Sequence, residues 1–359
     1  MVYSLDKIDW CEAPLVTPMS DAAWERESAR GEATNMAKYL TPVRWLLQAE
    51  ELLEVRVTPS VPVVLGALIG LVVAMDNSCR HCYGAIRSML KIMGYSEALI
   101  RKLEETLATD KLTEKDKAAL EFARKVSRSA PRPSESDLQE LMAVGFSAIE
   151  IAEIVYLAGT EACGNRLATL LALPPDPLEE VEANWFTKLK RPFTRKDFRE
   201  SVSRVFSVPY PAGYSGPGRG ILEALKGSPA CGALATALSG AWNSTLTTQR
   251  VKALIFAVVA HGLSCDACEA EAAQALRGEG WTDAEIKQLL TYLASEKLDP
   301  FELRVLRFAR ETVRYQTRRL QQLAQDFARG LERDVLLEII GLVAYANGLA
   351  RMSIMLHRC

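Results

Sequence analysis

An internal repeat is the feature that most constrains the fold, because the chain matches itself when its numbering is shifted by 186. The matched segments include Ala67-Leu68-Ile69 with Ala253-Leu254-Ile255, Ser78-Cys79 with Ser264-Cys265, and Phe122-Ala123-Arg124 with Phe308-Ala309-Arg310. After a slip of one position the match continues at a shift of 185, with Glu153 on Glu338 and Arg166 on Arg351. So many matches in one register predict a tandem duplication, and a repeated unit decides the architecture of a chain.

The repeat divides the 359 residues into two units and two further segments. We predict an N-terminal extension over residues 1–34, a first unit over 35–173, a linker over 174–220 and a second unit over 221–359. The linker begins with three prolines in four residues and ends in a stretch rich in glycine. Proline and glycine interrupt regular structure, so this stretch is typical of a connection.

Both units have the hydrophobic spacing of helices. In the first unit, apolar residues recur three and four positions apart, at Leu112, Ala119, Leu120, Ala123 and Val126. This spacing places them on one face of an amphipathic helix. Runs that alternate between apolar and polar residues, as strands would, are not seen. We therefore predict an all-α fold.

Amino-acid composition and net charge limit the kinds of molecule that the protein is expected to bind. Hydrophobic residues make up 49% and charged residues 25%, as in ordinary globular proteins. The formal net charge of −2 gives no general attraction to nucleic acid or to an anionic membrane. The N-terminus lacks the pattern of a secretion signal, and the strongest apolar run, residues 61–75, is shorter than the roughly 20 residues of a membrane span. We expect a cytoplasmic protein that binds neither nucleic acid nor membrane.

Four of the eight cysteines form two Cys-x-x-Cys pairs, Cys79/Cys82 and Cys265/Cys268, at equivalent positions of the two copies. In a chain without a secretion signal, this spacing is typical of redox chemistry or metal binding. A serine precedes each pair, and a serine N-cap would place both cysteines in the first turn of a helix. The helix dipole favours thiolate there, and the spacing lets the two sulfurs form a disulfide.

The arrangement resembles a known family. A helix, a short break and Cys-x-x-Cys at the start of the next helix are similar to the core of the AhpD-like superfamily (alkylhydroperoxidase D and carboxymuconolactone decarboxylase). The segment 146–154, which leads to Asn165-Arg166-Leu167, is similar to that family's closing helix, and the second copy keeps Glu338, Ile339, Asn347 and Arg351. The resemblance covers both units.

The resemblance implies a thiol-dependent oxidoreductase that reduces hydroperoxides and is restored by a thiol or dithiol reductant. It implies that Cys82 and Cys268 attack the peroxide, and that Cys79 and Cys265 form the disulfides with them. No cofactor and no metal are implied. Single-unit relatives assemble into trimers or hexamers, so one chain would equal a built-in dimer and would form a homo-oligomer.

The chain departs from the family at the proton relay, a glutamate twelve residues before the first cysteine and a histidine four after the second. Those positions hold Ala67 and Ala253, then Ile86 and Ala272. General acid–base assistance is worth about 10²–10⁴-fold in rate, so efficient peroxide reduction needs a substitute. His81, between the cysteines of the first pair, is our candidate because a cation lowers a thiol pKa.

The other charged residues near the cysteine pairs or inside apolar helices are expected to have electrostatic or structural roles. Three acidic residues surround the second pair and disfavour thiolate, so we predict that the first pair is the more reactive; they are Asp266, Glu269 and Glu271. His261 is explained by the end of its helix. Two glutamates inside apolar helices need partners, and we predict that Glu153 and Glu338 pair with Arg166 and Arg351.

Three alternatives stay open at this point. The four paired sulfurs could together bind one zinc ion tetrahedrally. The chain could be a cofactor-independent small-molecule enzyme like the lactone decarboxylases of the same superfamily, which need no cysteine pair. It could also be a non-enzymatic helical scaffold whose cysteines act as redox sensors.

Overall fold

The computed structural model describes residues 8–11, 13–27, 35–54, 56–107, 112–128, 132–174, 204–214 and 216–356. These residues form seventeen α-helices and no strand, and one isolated bridge joins Arg56 to Val205. The prediction of an all-α fold is confirmed. Most of the predicted linker and much of the predicted N-terminal extension lie outside the described residues.

After a short helix α1 (Asp21–Glu27), the described helices form two sets of eight. The first half, residues 35–174, contains α2 (Asn35–Leu40), α3 (Arg44–Glu54), α4 (Val63–Asp76), α5 (Arg80–Ile92), α6 (Glu97–Thr106), α7 (Glu114–Arg128), α8 (Glu135–Ala143) and α9 (Ala148–Leu171). The second half, residues 216–356, contains α10 (Arg219–Ala224), α11 (Pro229–Asn243), α12 (Gln249–Gly262), α13 (Asp266–Gly278), α14 (Asp283–Tyr292), α15 (Pro300–Glu311), α16 (Thr317–Ala328) and α17 (Arg333–Leu356).

Most helix starts follow the register of the sequence repeat. Helix α4 begins at Val63 and α12 at Gln249, an offset of 186, and α9 and α17 begin at Ala148 and Arg333, an offset of 185. Six of the eight pairs of corresponding helices begin at one of these two offsets. The cysteine pairs therefore occupy the same place in each half, at the start of α5 in the first and at the start of α13 in the second. The duplication itself stays a prediction.

The two halves share one core. Helices α9 and α17 pack against each other at its centre, and α3 packs against α11. At the central crossing, a Cβ added to Gly348 would lie 2.8 Å from the Gly159 carbonyl oxygen and 3.0 Å from the Cβ of Cys163. A side chain at Gly348 would push the two helices apart, so glycine permits their close contact.

Helix α17 is long and apolar enough to cross a membrane by length and composition alone, and all of its apolar window is buried within the fold. It packs on α9, α10 and α12. A helix that is apolar on every side is typical of the centre of a large core. That position accounts for its composition.

Buried arginines join the halves by a reciprocal contact. Arg166 Nε donates to the Thr312 carbonyl at 2.9 Å, and Arg351 Nε donates to the Ser127 carbonyl at 2.8 Å. Arg166 corresponds to Arg351 and Ser127 to Thr312, both at the offset of 185, so the same contact occurs twice with the halves exchanged. This is the pattern of a two-fold interface, here within one chain.

The predicted pairing of the buried glutamates with these arginines is wrong. Glu153 accepts hydrogen bonds from the Ser60 N–H at 2.8 Å and from the Ser228 hydroxyl at 2.7 Å. Glu338 accepts hydrogen bonds from the Trp45 indole and, at 3.0 Å, from the Ser244 hydroxyl. Because the arginines reach across to carbonyls of the other half, the glutamates take other partners, and Ser228 and Trp45 are donors from the opposite half. Glu338 also has a cation near it, since Lys252 Nζ lies 4.0 Å from its Oε1.

Candidate functional site

The turn before each cysteine pair closes a helix with a Schellman motif. In the first half, the Ser78 N–H donates to the Met75 carbonyl and the Cys79 N–H donates to the Ala74 carbonyl, both at 3.0 Å. The equivalent two bonds, at 3.0 and 2.9 Å, close α12 in the second half. In this motif the residue after the cap adopts a left-handed conformation, which glycine usually supplies.

Here a serine supplies it, which corrects the predicted position of the N-cap by one residue. Ser78 has φ 49° and Ser264 has φ 55°, both in the left-handed region. The N-cap residues are the first cysteines, Cys79 and Cys265, and the helices begin at the residues that follow them. Cys79 Sγ accepts a hydrogen bond from the Cys82 N–H at 3.4 Å. The first sulfur of the pair therefore lies at the positive end of the helix dipole.

In the first pair the two sulfurs are in contact. Cys79 Sγ and Cys82 Sγ lie 2.9 Å apart. Cys79 is completely buried, whereas Cys82 is 9% exposed and is the most accessible of the four paired cysteines. The hydrogen bond shared with Cys79 raises the pKa of Cys82, and burial and the charges of Glu161 and Glu50 raise it further. The accessible sulfur therefore needs a base before it can act as a nucleophile.

A glutamate on the facing helix α9 lies close enough for its charge to act on Cys82, and it is absent from the sequence predictions. Burial raises the pKa of Glu161, on α9, to about 7, although a hydrogen bond from Asn165 Nδ2 at 2.7 Å opposes the shift. Its Oε2 lies 3.4 Å from the position of a Cβ on Gly70, which the Ile86 side chain also contacts. A carboxyl from another helix thus reaches the neighbourhood of the missing relay histidine.

The one sign of Glu161 in the sequence is an acidic residue within an apolar helix. The family's relay residues are found instead by their fixed sequence separation from the cysteines, and Glu161 does not have that separation. The second half has no such residue, because the equivalent position at the offset of 185 holds Ala346. The helix that faces the second pair therefore has no carboxyl group at the position equivalent to Glu161.

A chain of amides joins this glutamate to the turn before the first pair. Asn165 Oδ1 accepts a hydrogen bond from Asn77 Nδ2 at 3.3 Å, and Asn77 Nδ2 also contacts the Ser127 hydroxyl at 3.3 Å. From the second half, the Tyr315 hydroxyl donates to the Asn165 carbonyl at 2.9 Å. The first site is therefore built from both halves.

In each half, a polar residue at or just before the start of α8 or α16 contacts the turn that precedes the cysteine pair of the opposite half. The Thr317 hydroxyl donates to the Ser78 carbonyl at 3.2 Å, and Arg132 Nη2 donates to the Ser264 carbonyl at 2.6 Å. Arg132 corresponds to Thr317 at the offset of 185, and Ser78 to Ser264 at 186, so these are equivalent contacts. Each half supplies a polar residue that fixes the turn before the other half's cysteines.

His81 is the second residue of α5 and contacts the segment that follows α9. Its side chain is buried, and its Nδ1 lies 2.7 Å from the Pro174 carbonyl oxygen, so the tautomer with a proton on Nδ1 donates a hydrogen bond there. The carbonyl fixes the orientation of the imidazole ring and links the start of α5 to the exit of the first half. An effect of His81 on the thiols stays a prediction.

The second pair has a different electrostatic setting. Cys265 and Cys268 are buried in a small cluster with Ala260, Ala350 and Ile354. A hydrogen bond from Cys268 lowers the pKa of Cys265 to about 7, against the effect of burial, and Ser353, the Cys268 N–H and Arg132 assist. The same shared hydrogen bond and burial raise the pKa of Cys268. The hydrogen bond from Cys268 therefore favours the thiolate on the first sulfur of the second pair.

The expectation that acidic neighbours would disfavour thiolate at the second pair is wrong for Cys265. Two of these acids have other partners: Glu269 Oε2 lies 3.0 Å from His261 Nδ1, and Glu271 accepts hydrogen bonds from the backbone of Gly218 and Gly220. Glu271 does raise the pKa of Cys268. The pairing with Glu269 also gives His261 a partner beyond its own helix end.

The zinc alternative needs all four paired sulfurs in one place. Among the described residues, no group of three or more histidine, cysteine, aspartate or glutamate side chains comes together as a metal site. The first pair lies in the main core and the second in its own cluster. The two pairs are therefore separate sites.

Comparison with known proteins adds no assignment: no family model matches the chain, and no curated protein matches it. The likeness to the AhpD-like superfamily thus depends on the sequence motifs alone.

Proposed function

We propose that the protein is a thiol-dependent oxidoreductase of the AhpD-like type, whose first cysteine pair reduces a hydroperoxide. The observation that carries this proposal is the contact of Cys79 with Cys82 at 2.9 Å, at a helix start, near the carboxyl of Glu161 on the facing helix. The group contains a nucleophile, a second thiol that can form the disulfide, and an acid–base residue whose pKa is near 7. These are the parts that the reaction needs.

The proposed reaction starts when the Glu161 carboxylate takes the proton from the Cys82 thiol. The thiolate attacks the terminal oxygen of the hydroperoxide, the O–O bond breaks, and the departing alkoxide takes the proton from Glu161 and leaves as an alcohol. Cys82 is now a sulfenic acid. Cys79 attacks its sulfur, the S–S bond forms, and the hydroxyl leaves as water with the proton of Cys79. A dithiol reductant then supplies two electrons and two protons to restore the pair.

For the second pair we propose thiol–disulfide exchange. Cys265 carries the negative charge that attacks a disulfide, whereas Ala346 offers no proton acceptor. A thiol with a pKa near the ambient pH is the best attacking group in such exchange. The roles of the two sulfurs are thus the reverse of those that the family resemblance implies for this half.

The partners of this proposal are a small hydroperoxide-like substrate and a thiol or dithiol reductant. The cytoplasm suits both, because its thiol pools keep such pairs reduced. Burial of the paired cysteines favours small reactants over folded proteins. Assembly into a homo-oligomer remains part of the proposal through the family resemblance.

A turnover assay tests the proposal. Purified full-length protein is supplied with an organic hydroperoxide and a dithiol, and the loss of peroxide is followed over time. We expect Cys82→Ser to abolish turnover, and Cys231→Ser, which alters a half-buried cysteine outside both pairs, to retain it. Full activity in the Cys82→Ser variant would contradict the proposal. Reversible disulfide formation without any turnover would favour the redox sensor instead.

A further inference from the structure

Tyr315, in the connection between α15 and α16 of the second half, reaches the first cysteine pair. Its side chain is half-buried and packs against the core cluster that contains Cys79 and Cys82. Burial raises the pKa of its hydroxyl, and the charges of Cys79 and Cys82, which lie near it, raise that pKa further. An aromatic side chain from the opposite half therefore borders the sulfurs of the first pair.

Three contacts hold the tyrosine ring in place. Its hydroxyl donates to the Asn165 carbonyl at 2.9 Å and shares a hydrogen bond with the Thr169 hydroxyl at 2.5 Å, both on α9. The Arg166 guanidinium, which is only 1% exposed, lies over the ring, with its Cζ 5.0 Å from the ring centroid. A cation over the aromatic face and hydrogen bonds at the tip of the side chain leave the ring little freedom to turn away.

The same segment is also attached to the turn that precedes the pair. The Thr317 hydroxyl lies 3.3 Å from the Asn77 carbonyl oxygen and 3.2 Å from the Ser78 carbonyl oxygen, directly before Cys79 in the chain. Helix α5, which begins at the pair, packs on α9. The segment 315–317 therefore contacts both α9 and the turn, and its position relative to the sulfurs is fixed at both of its ends.

The second half has no counterpart of this tyrosine in the sequence. At the offset of 185, Tyr315 corresponds to Ala130, and Thr169 corresponds to Ile354. Alanine has no ring, and isoleucine has no hydroxyl that could hold one. The ring and the hydrogen bond that fixes it are thus specific to the first pair.

Access to the first pair is narrow. Cys79 is completely buried, and Cys82 is only 9% exposed. A reactant that reaches Cys82 has to fit among the side chains that border the sulfur. Because folded interiors are packed as closely as crystals, a fixed ring at this place excludes reactants by their size.

We infer that Tyr315 limits the size of the reactant that reaches Cys82, so that the first pair accepts hydrogen peroxide and small alkyl hydroperoxides and excludes bulky aryl hydroperoxides. The choice of substrate rests on the proposed peroxide reduction. The size limit itself does not, because it applies to any electrophile that the Cys82 sulfur attacks.

Alkylation with two maleimides of different size tests the limit. N-methylmaleimide and N-phenylmaleimide share one reactive group and both react with the thiolate, so the ratio of their rates is independent of the pKa of Cys82. Trypsin places Cys82 in the peptide 81–87, apart from Cys79, and mass spectrometry follows this peptide over time. We expect Tyr315→Ala to raise the relative rate of the phenyl reagent by about tenfold or more, since a site of fixed shape discriminates by fit.

Two further variants and a control separate the size of the ring from effects on folding. Tyr315→Phe keeps the ring and should retain the native ratio within about threefold, whereas Tyr315→Leu should lie between the native and alanine ratios. Tyr292→Ala alters a tyrosine of the same half that is 73% exposed, and it should leave the ratio unchanged. An unchanged ratio in the alanine and leucine variants, or a phenylalanine variant that behaves like the alanine variant, would overturn the size limit.

A peroxide assay separates this inference from the proposed function. In Tyr315→Ala, the kcat/KM for cumene hydroperoxide relative to that for hydrogen peroxide should rise by about tenfold, for the same reason. A changed alkylation ratio without any reduction of peroxide would support the size limit and refute the proposed function. Peroxide reduction in which neither ratio responds to Tyr315→Ala would refute the size limit alone.

Discussion

The two cysteine pairs have nearly the same backbone and different chemistry. Both lie after a Schellman turn with a serine in the left-handed region, and both place their first sulfur at an N-cap. The difference comes from facing helices: Glu161 near the first pair has Ala346 as its counterpart, and Ser353 near the second has Ala168. The comparison teaches that the repeated helices fix where the sulfurs lie, and that single residues on α9 and α17 differ in the polar groups that they bring near each pair.

The largest effect should come from removal of the acid–base residue of the first pair. We expect Glu161→Gln to lower the kcat/KM for a hydroperoxide by about 10²-fold or more, because the Cys82 thiol loses its proton acceptor. In the native protein the rate should rise as pH passes 7, since the carboxylate, which is the active base, is present above its pKa of about 7. Stopped-flow measurement of peroxide reduction from pH 5 to 9 tests both.

Glu121→Gln, the same change at an exposed position of α7, is the control for that experiment. If Glu161→Gln keeps both the native rate and the native pH profile, the difference between the two pairs does not lie in this carboxyl. Loss of rate with an unchanged pH profile would assign Glu161 a structural role only.

The next largest effect should come from a change at the crossing of α9 and α17, where the two halves are in close contact. We expect Gly348→Ala to lower the free energy of unfolding by about 1–3 kcal/mol, because the added methyl group meets the Gly159 carbonyl and the Cys163 side chain. Gly164→Ala, on the facing helix α9, has open space around its Cβ and should be neutral or slightly stabilising. Urea unfolding of the two variants makes the comparison, and equal stabilities would mean that the crossing is loose enough to admit a methyl group.

A smaller effect should appear in the acidity of the second pair. Alkylation of Cys265 should be half-maximal near pH 7, since its pKa is lowered to about 7 and the thiolate forms above it. Ser353→Ala and Arg132→Gln each remove one stabilising group, so each should shift the midpoint upward by less than about one unit. Midpoints that stay fixed in both variants would leave the hydrogen bond from Cys268 as the main cause.

The smallest effect should come from the serines that precede the pairs. Glycine at Ser78 or Ser264 removes the left-handed strain of about 1–2 kcal/mol but increases the entropy of the unfolded chain. We expect a net stabilisation of less than about 1 kcal/mol, similar at both sites because the turns are alike. Thermal unfolding measures this, and a clear difference between the two variants would show that the backbones are not equivalent.

The helices and the positions of the cysteines could be predicted from the sequence because the signals are local. Apolar spacing and the repeat register place α4 and α12 without knowledge of their neighbours. The predicted N-cap is displaced by one residue, because the sequence does not show that Ser78 is needed for the left-handed turn between two helices. Local sequence signals show that a helix begins near a given position, but they do not always identify the residue at which it begins.

The facing residues could not be predicted in the same way. Glu161 is far along the chain from Cys79, and its relation to the first pair depends on how α9 packs over α5. The pairing predicted for Glu153 failed for the same reason, because its donor Ser228 belongs to the other half. The sequence shows only the charges that are near the second pair along the chain, whereas Arg132 and Ser353 reach it through tertiary contacts.

The crossing of α9 and α17 has a consequence for how such a molecule can diversify. Cys163 and Gly348 are equivalent positions at the offset of 185, and they touch each other. In an assembly of two identical subunits, a residue on the symmetry axis contacts its own copy, so a large side chain there is present on both sides of the contact. A covalent link between the two halves lifts that restriction, and a large side chain on one side can be matched by a small one on the other.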